Sequence, residues 1–258
     1  MNITRPLSLS PSKVDTFNGC PRLFKYKYIK PPIPVVENKY FLIGNIAHKA
    51  LEMFHTIELN GNMSVIMKDC FKSAIEKHHA DEKIKKGIIV KDDLYLIRDM
   101  LKKYIQYIQK TGAPLVMQCE KLIKIPLSKN VVIWMKADRL DKEGTVYKVI
   151  DYKTSARPAT RKEELASVQI PTYGLWVRQA YGKDALVYGE YQYLRHIDKK
   201  GIHTFEVTDE MMESAKEEYE RIADKLLSGC LYIQNFKYKY CRNCDFRSYC
   251  VEDESDGL

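Results

Sequence analysis

The spacing of apolar residues changes partway along the chain, from a helical period to an alternating one. From Gly44 to about Gln109, apolar residues recur every three or four positions, which predicts a helical layer of two or three segments. From Leu115 onward, short segments rich in Val, Ile and Tyr are separated by polar turns. They predict an antiparallel meander of three strands, at Glu120 to Leu127, Val131 to Arg139 and Thr145 to Tyr152.

Helix and strand signals also flank the meander. Ser10 suits a helix cap and Pro11 a first helical position, so we expect a helix within Ser8 to Tyr28. Residues 31–34 predict an extended linker, and the acidic residues 252–256 a disordered tail. After the meander we expect a helix, a strand pair and a final helix, at about Lys162 to Tyr181, Leu186 to Leu194, Gly201 to Val207 and Thr208 or Asp209 to Leu227. The elements together predict an α/β fold.

Composition narrows the classes of function. A chain of 258 residues with 45% hydrophobic content can form one α/β domain with insertions, covering residues 1–258. Its 42 Lys and Arg residues against 34 Asp and Glu residues mildly favour contact with a polyanion. No stretch reaches the roughly 18 apolar residues of a membrane helix, and the N-terminal residues lack the apolar core of a signal peptide. We therefore expect a cytoplasmic protein that does not contact a membrane.

Candidate chemistry lies on two of the predicted strands. Because side chains alternate across a strand, Asp151 and Lys153 point to one face and Tyr152 to the other. A turn around residues 143–144 would bring Asp138 back beside Asp151. Adjacent carboxylates repel each other, and a divalent cation between them relieves the repulsion. The pattern suits Mg²⁺- or Mn²⁺-assisted cleavage of a phosphodiester, although Asp-x-Lys is also common on ordinary surface hairpins.

A longer ordered set of motifs resembles a known family. Residues 136–140, with Asp138, and residues 149–154, with Asp151 and Lys153, resemble the core of the PD-(D/E)XK nuclease superfamily, particularly its RecB-like branch. Gly44-Asn45-Ile46-Ala47-His48 is similar to that branch's Gly-x-x-x-His helix, and Gln169-Ile170-Pro171-Thr172-Tyr173 to its Gln-x-x-x-Tyr helix. The motifs follow the family's order over residues 8 to 250. Ala137 replaces the proline of the family's name.

The resemblance implies a fold and a set of roles. The fold would be a restriction-endonuclease-like central mixed sheet flanked by helices, with a helical insertion at about 45–112 and a nuclease core at about 113–207. The implied ligands of Mg²⁺ or Mn²⁺ are His48, Asp138, Asp151 and the backbone carbonyl of Tyr152. Lys153 would be the catalytic base or an electrostatic aid, and Glu120 a supporting or second-metal acid. Gln169 and Tyr173 would contact DNA or order the site.

Four of the seven cysteines are spaced as a candidate metal site. Cys241, Cys244 and Cys250 lie close together, and Cys20 would join them only through folding. The arrangement resembles the [4Fe-4S] site of AddB-type and CRISPR-associated iron-sulfur exonucleases. Such a site would tie the two ends of the chain together, because it would join Cys20 to a C-terminal helix and clasp at about 208–250. Zinc, which also accepts four thiolates, and metal-free thiols are the alternatives. The basic and aromatic residues at 237–249 suit either single-strand binding or packing around the cluster.

These features together predict a metal-dependent deoxyribonuclease, an exonuclease acting on single strands or DNA ends. The sequence has no P-loop motif, so a helicase or recombination partner would be a separate chain. Repair, recombination, phage replication and CRISPR adaptation are the processes that such an enzyme would serve. A non-catalytic DNA-binding or assembly module on the same scaffold is the alternative from another class, and a sequence-specific restriction-type endonuclease is a third reading.

Overall fold

A six-stranded mixed sheet lies at the centre of the chain, with one hydrophobic core against each of its faces. The computed structural model describes residues 6–29, 37–58, 61–198, 200–229, 232–235, 237 and 241–255. Within these residues, no helix combines the length and the apolar character needed to cross a membrane. The mixed α/β architecture, with a central sheet flanked by helices, confirms the predicted restriction-endonuclease-like fold class.

The sheet contains the predicted meander. Its six strands are β1 (Leu7–Leu9), β2 (Val116–Ser128), β3 (Val131–Glu143), β4 (Val146–Lys153), β5 (Leu186–Tyr193) and β6 (Ile202–Glu206). β2, β3 and β4 pair antiparallel in succession. β5 runs parallel to β4, and β6 returns antiparallel to β5. This order makes β3 and β4 internal strands.

One edge of β3 is shared by two strands. β2 pairs with β3 at both ends, from residues 131–133 to residues 139–141, and so occupies one edge. β1 pairs with residues 131–133 and β4 with residues 139–143, so both must lie along the other edge. Pairing on that edge therefore stops between residues 134 and 138. The gap lies where Asp138 leaves the ladder.

Helices cover both faces of the sheet. One core packs the sheet against α1 (Pro11–Gly19), α8 (Gln169–Tyr181) and α9 (Asp209–Leu227). The other packs it against a helical layer of α3 (Lys39–Thr56), α4 (Met63–Lys77), α5 (Ala80–Lys85) and α6 (Lys91–Thr111). The remaining helices are α2 (Pro21–Phe24), α7 (Arg161–Leu165) and α10 (Arg247–Ser255), with a π-helical turn at Lys25–Ile29 and a 3₁₀ turn at Cys241–Asn243.

Local caps account for several helix starts. The Ser10 side chain accepts a hydrogen bond from the Lys13 amide at 3.2 Å, and Pro11 occupies the first turn of α1, as predicted. The Thr208 side chain caps α9 in the same way, which decides between the two predicted caps.

Four boundaries differ from the sequence predictions. Ser8 belongs to β1, because a three-residue strand pairs with β3 before α1 begins. The helix expected at residues 162–181 is two helices, since α7 ends at Leu165 and α8 starts at Gln169. The helical layer has four segments and begins at Lys39. α10 continues to Ser255, into the expected tail, and the linker predicted at residues 31–34 lies outside the described residues.

Candidate active site

The site forms where β3 and β4 separate. Their ladder ends at the pair Arg139 and Ile150, so the Tyr152 amide has no β3 partner. Asp138 takes that place with its side chain, because Oδ2 accepts a hydrogen bond from the Tyr152 N–H at 2.8 Å. The carboxylate of one strand is thereby fixed to the backbone of the next.

Asp151 and Lys153 lie on the part of β4 that is still held by β5. Parallel pairing with β5 continues through Lys153, so both side chains keep their alternation. Lys153 Nζ lies 2.6 Å from Asp151 Oδ2. That oxygen is buried and accepts no hydrogen bond of good geometry from any described residue. Asp151 thus keeps acceptor capacity for a further positive group.

α8 orders this pair through Gln169 and Tyr173. Gln169 Nε2 donates to Asp151 Oδ1 at 2.6 Å and to Tyr173 Oη at 3.1 Å, while its Oε1 accepts from Lys153 Nζ at 3.1 Å. The Tyr173 hydroxyl donates to the Lys136 carbonyl at 2.8 Å. Tyr173 is only 1% exposed, which favours an ordering role over contact with DNA.

His48 enters the cleft from α3. Its Nδ1 lies 3.1 Å from Asp138 Oδ1 and 4.0 Å from Glu120 Oε1. One ligand atom from each of these three residues lies within 4.8 Å of the other two, so the group could hold one metal ion. In the described part of the chain this is the one such group of His, Cys, Asp and Glu, and Asp151 lies outside it. The ligand set of His48, Asp138 and Asp151 therefore stays a prediction.

Glu120 reaches this group through an irregular backbone. Its φ of 50° lies in the left-handed region, which is rare for a residue other than glycine. The β2 ladder pairs Cys119 with Arg139 and Lys121 with Ala137, but omits the pair of Glu120 and Asp138 between them. The two acids thus face each other at a break in the ladder. Glu120 also forms an ion pair with Lys136.

The carboxylates set the charge of His48 and Asp138. Burial disfavours the imidazolium, but Asp138, with Asp151 and Glu120, outweighs burial and raises the pKa of His48 to about 9. Burial likewise opposes ionisation of Asp138, yet the His48 charge and the Tyr152 amide lower the pKa of Asp138. Without a cation, His48 is therefore protonated at neutral pH.

The negative charge of Asp151 is less well compensated than that of Asp138. Burial raises the pKa of Asp151, and the charge of Lys153 offsets this only in part. Burial also disfavours the ammonium form of Lys153, but Asp151 outweighs it and raises the pKa of Lys153. Lys153 is therefore an ammonium at neutral pH, which favours the predicted electrostatic role over that of a base.

A buried layer beneath the site was not predicted. Arg139 Nη1 donates to the hydroxyls of Tyr152 at 2.7 Å and Tyr104 at 2.5 Å, and His55 Nε2 lies 2.5 Å from the Tyr104 hydroxyl. Burial and Arg139 lower the pKa of His55 to about 3, so His55 is neutral and accepts from Tyr104. A charged residue between Asp138 and the apolar Leu140 was the available sequence signal.

The cleft has the size and the lining for a polymeric anion. Its volume is about 1180 Å³, and the predicted active-site residues other than Tyr173 lie in its wall. The lining combines cationic side chains with five carboxylates: Lys39, Lys49, Lys77, Lys136, Lys153 and Arg195 with Glu52, Asp93, Glu120, Asp138 and Asp151. Two aromatic residues at the start of α3, Tyr40 and Phe41, line the same cleft and are 65% and 74% exposed.

The predicted clasp cysteines line one cavity of about 70 Å³: Cys20, Cys241, Cys244 and Cys250. They do not form a group of ligand atoms within 4.8 Å, unlike the three residues in the cleft. Arg22 lines the cavity too, and its Nη1 is buried with no hydrogen-bond partner among the described residues. Of the remaining three cysteines, Cys70 is buried, Cys119 is half-buried, and Cys230 lies outside the described residues, as do residues 238–240.

Comparisons with known proteins agree with this fold. The family model described as the PD-(D/E)XK nuclease superfamily matches residues 8–251. A solved structure from Eubacterium rectale that carries the name "Putative exonuclease" is similar with a TM-score of 0.56 and 13% identity, over 92% of this chain and 87% of that one. SSO0001, another solved structure, has 15% identity over 81% of this chain and 94% of its own. Its TM-score is only 0.35. No curated protein matches the chain.

Proposed function

The chain belongs to the PD-(D/E)XK nuclease superfamily, and we propose that it is a divalent-cation-dependent exonuclease that hydrolyses phosphodiester bonds of DNA. The observation that carries the proposal is the convergence of three carboxylates and an imidazole on one cleft. Asp138 lies in hydrogen-bond contact with His48, and the buried Asp151 leaves one oxygen without a well-directed donor. Each of these features suits a hard cation such as Mg²⁺ or Mn²⁺.

The proposed ligands are His48, Glu120, Asp138, Asp151 and the Tyr152 carbonyl. A bound cation would supply positive charge that polarises the scissile phosphate and favours loss of a proton from the attacking water. Lys153, an ammonium beside Asp151, would neutralise charge that develops on the phosphate oxygens. Gln169 bonds to both Asp151 and Lys153 and would hold them in register for that task.

The cleft lining favours single-stranded DNA or a frayed end as the substrate. Cations along the wall would contact phosphates, and exposed aromatic rings can stack on unpaired bases. Tyr40 and Phe41 offer such rings beside Lys39 at the start of α3. A closed duplex presents no free base faces, so these two rings would contribute little to its binding.

We also propose that the four-cysteine cavity holds a structural [4Fe-4S] cluster. A zinc ion would draw four sulfurs to about 2.3 Å from one point, whereas a cluster places its own iron and sulfide between the thiolates. The resemblance of the four-cysteine spacing to that of iron-sulfur exonucleases favours the cluster over zinc. The unpaired Nη1 of Arg22 would face the negative charge of a four-thiolate centre. Such a centre would join Cys20, which separates α1 from α2, to the C-terminal turn and helix.

The test is DNA digestion by anaerobically purified protein with Mn²⁺. Substrates are end-labelled single- and double-stranded DNA and a circular single strand. The variants are Asp151→Asn and Lys153→Ala, with Asp99→Asn as a control that alters an exposed carboxylate on α6. We expect cleavage of linear single strands, at least about 100-fold slower in both site variants and unchanged in the control.

Three outcomes contradict parts of the proposal. Cleavage of the circular strand would show endonuclease action and overturn the exonuclease assignment. Equal cleavage by all variants would show that the active site lies elsewhere. DNA binding without cleavage, in a buffer where a control nuclease works, would replace the enzyme with the non-catalytic binding module.

A further inference from the structure

We propose that Arg139 is a positioning residue that holds Tyr152 against two of the proposed cation ligands, His48 and Asp138. The inference deepens the proposed function and rests on it. Arg139 is 3% exposed, so a full charge lies within the core directly after Asp138. Asp141 neutralises it through two parallel hydrogen bonds, from Nε at 2.8 Å and from Nη2 at 2.9 Å.

The remaining guanidinium nitrogen joins three elements. Nη1 donates to the Tyr152 hydroxyl on β4 and to the Tyr104 hydroxyl on α6. Tyr104 in turn bonds to His55, two helical turns after His48 on α3. Arg139 therefore ties β3 and β4 to α3 and α6 of the helical layer at one point. The planar fork suits this task because its donors have fixed directions.

Tyr152 links Arg139 to the proposed cation ligands. Its backbone N–H donates to Asp138, and its ring meets the His48 ring edge-on, with centroids 5.9 Å apart and an interplanar angle of 88°. Its carbonyl is itself a proposed ligand. A rotation or shift of Tyr152 would therefore move three candidate ligand groups relative to one another.

Stability alone does not explain this network. Desolvating a buried ion pair offsets most of its attraction, and apolar residues of similar size are often as stabilising. The network instead lies one residue from each of two ligands, because Arg139 follows Asp138 and Tyr152 follows Asp151. Strand alternation places the ligands on the cleft side and their supports on the side of the helical layer.

The experiment compares Tyr152→Phe and Arg139→Lys with Tyr219→Phe. Tyr152→Phe removes one hydroxyl and keeps the ring against His48, and Arg139→Lys keeps the charge but not the fork. Tyr219→Phe is the matched control, since its buried hydroxyl lies 3.2 Å from Thr172 on the other side of the sheet. The readouts are Mn²⁺ affinity by titration calorimetry, thermal midpoint, and kcat and KM on single-stranded DNA.

We expect both network variants to lose about 10- to 100-fold in Mn²⁺ affinity or kcat, with KM for DNA within about twofold. The control should lower the thermal midpoint and leave Mn²⁺ affinity unchanged. Network variants that lose only thermal stability would overturn the proposal. Arg139→Lys can fail to fold, in which case Tyr152→Phe decides. If the unaltered protein binds Mn²⁺ but cleaves no DNA, the proposed function is wrong, and the affinity comparison still decides the role of Arg139.

Discussion

Gly189 is a position at which one added methyl group should disturb both the fold and the site. It is buried on β5, and a Cβ at this position would lie 2.1 Å from Cγ2 of Ile170. Carbon atoms pack at about 3.5–4.0 Å, so a Gly189→Ala variant must displace α8 or force Ile170 from its rotamer. Ile170 is fully buried and directly follows Gln169.

The expected loss of stability follows from the steric overlap between the added Cβ and Ile170. Extra carbon atoms in a packed core typically destabilise a protein by about 1–3 kcal/mol. For a chain of this length, each kcal/mol lowers the thermal midpoint by about 2–4 °C, so we expect a loss of about 2–12 °C. Because α8 also carries Gln169, its displacement should loosen the 2.6 Å contact with Asp151 and slow DNA cleavage.

Urea unfolding followed by circular dichroism measures the loss of unfolding free energy in Gly189→Ala. Gly44→Ala is the matched control, because Gly44 lies within α3 and its new Cβ would be an ordinary 3.5 Å from Thr154 Oγ1. That variant should gain about 0.5–1 kcal/mol. In a Gly189→Ala/Ile170→Ala double variant, the loss of unfolding free energy should be smaller than the sum of the two single-variant losses by at least about 1 kcal/mol. The reason is that the Ile170 atoms that obstruct the new methyl group are gone. A Gly189→Ala protein as stable as the parent, or strict additivity in the double variant, would refute the reasoning.

Three further predictions concern the cation site and the clasp. Since the pKa of His48 is about 9, a cation must displace the His48 proton at lower pH. Apparent Mn²⁺ affinity should therefore rise by up to about tenfold per pH unit from about pH 7 to 9 and then level off. Titration calorimetry should find this rise in the parent protein and not in His48→Asn. Glu120→Gly should exceed Glu120→Ala in stability by about 1 kcal/mol, because both lack the carboxylate and only Ala keeps the left-handed strain; equal urea midpoints would contradict this. Cys244→Ser should lose iron and visible absorbance in the anaerobic protein, whereas Cys70→Ser should keep both; equal iron loss would argue against the proposed clasp.

Local rules account for much of what the sequence predicted correctly. The alternation of Asp151, Tyr152 and Lys153 needs only the period of a strand, and the meander needs only polar turns between β-branched runs. The Thr208 cap depends on one side chain and the amide three residues later. Each of these features is decided within a few residues.

Other features depend on partners far along the chain. Arg139 meets residues that lie 84, 35 and 13 positions away, so no local pattern marks it as a support. Residues 166–168 contain neither Pro nor Gly, and the break between α7 and α8 lies there without a local breaker. The left-handed Glu120 is a similar case, because a strand propensity predicts a regular pair with Asp138. Strained exceptions of this kind concentrate at functional sites.

The register of β4 ties the site to the fold. A slip of one residue would turn Asp151 into the apolar core of the helical layer and Tyr152 out toward the cleft. Tyr152 would lose its bond to Arg139, and Asp151 would be buried, together with Lys153, away from Gln169. Both changes are unfavourable, because one exposes an aromatic ring and the other buries two charged groups in an apolar core. The same alternation that presents the carboxylates to a cation therefore also selects the one register in which the strand packs.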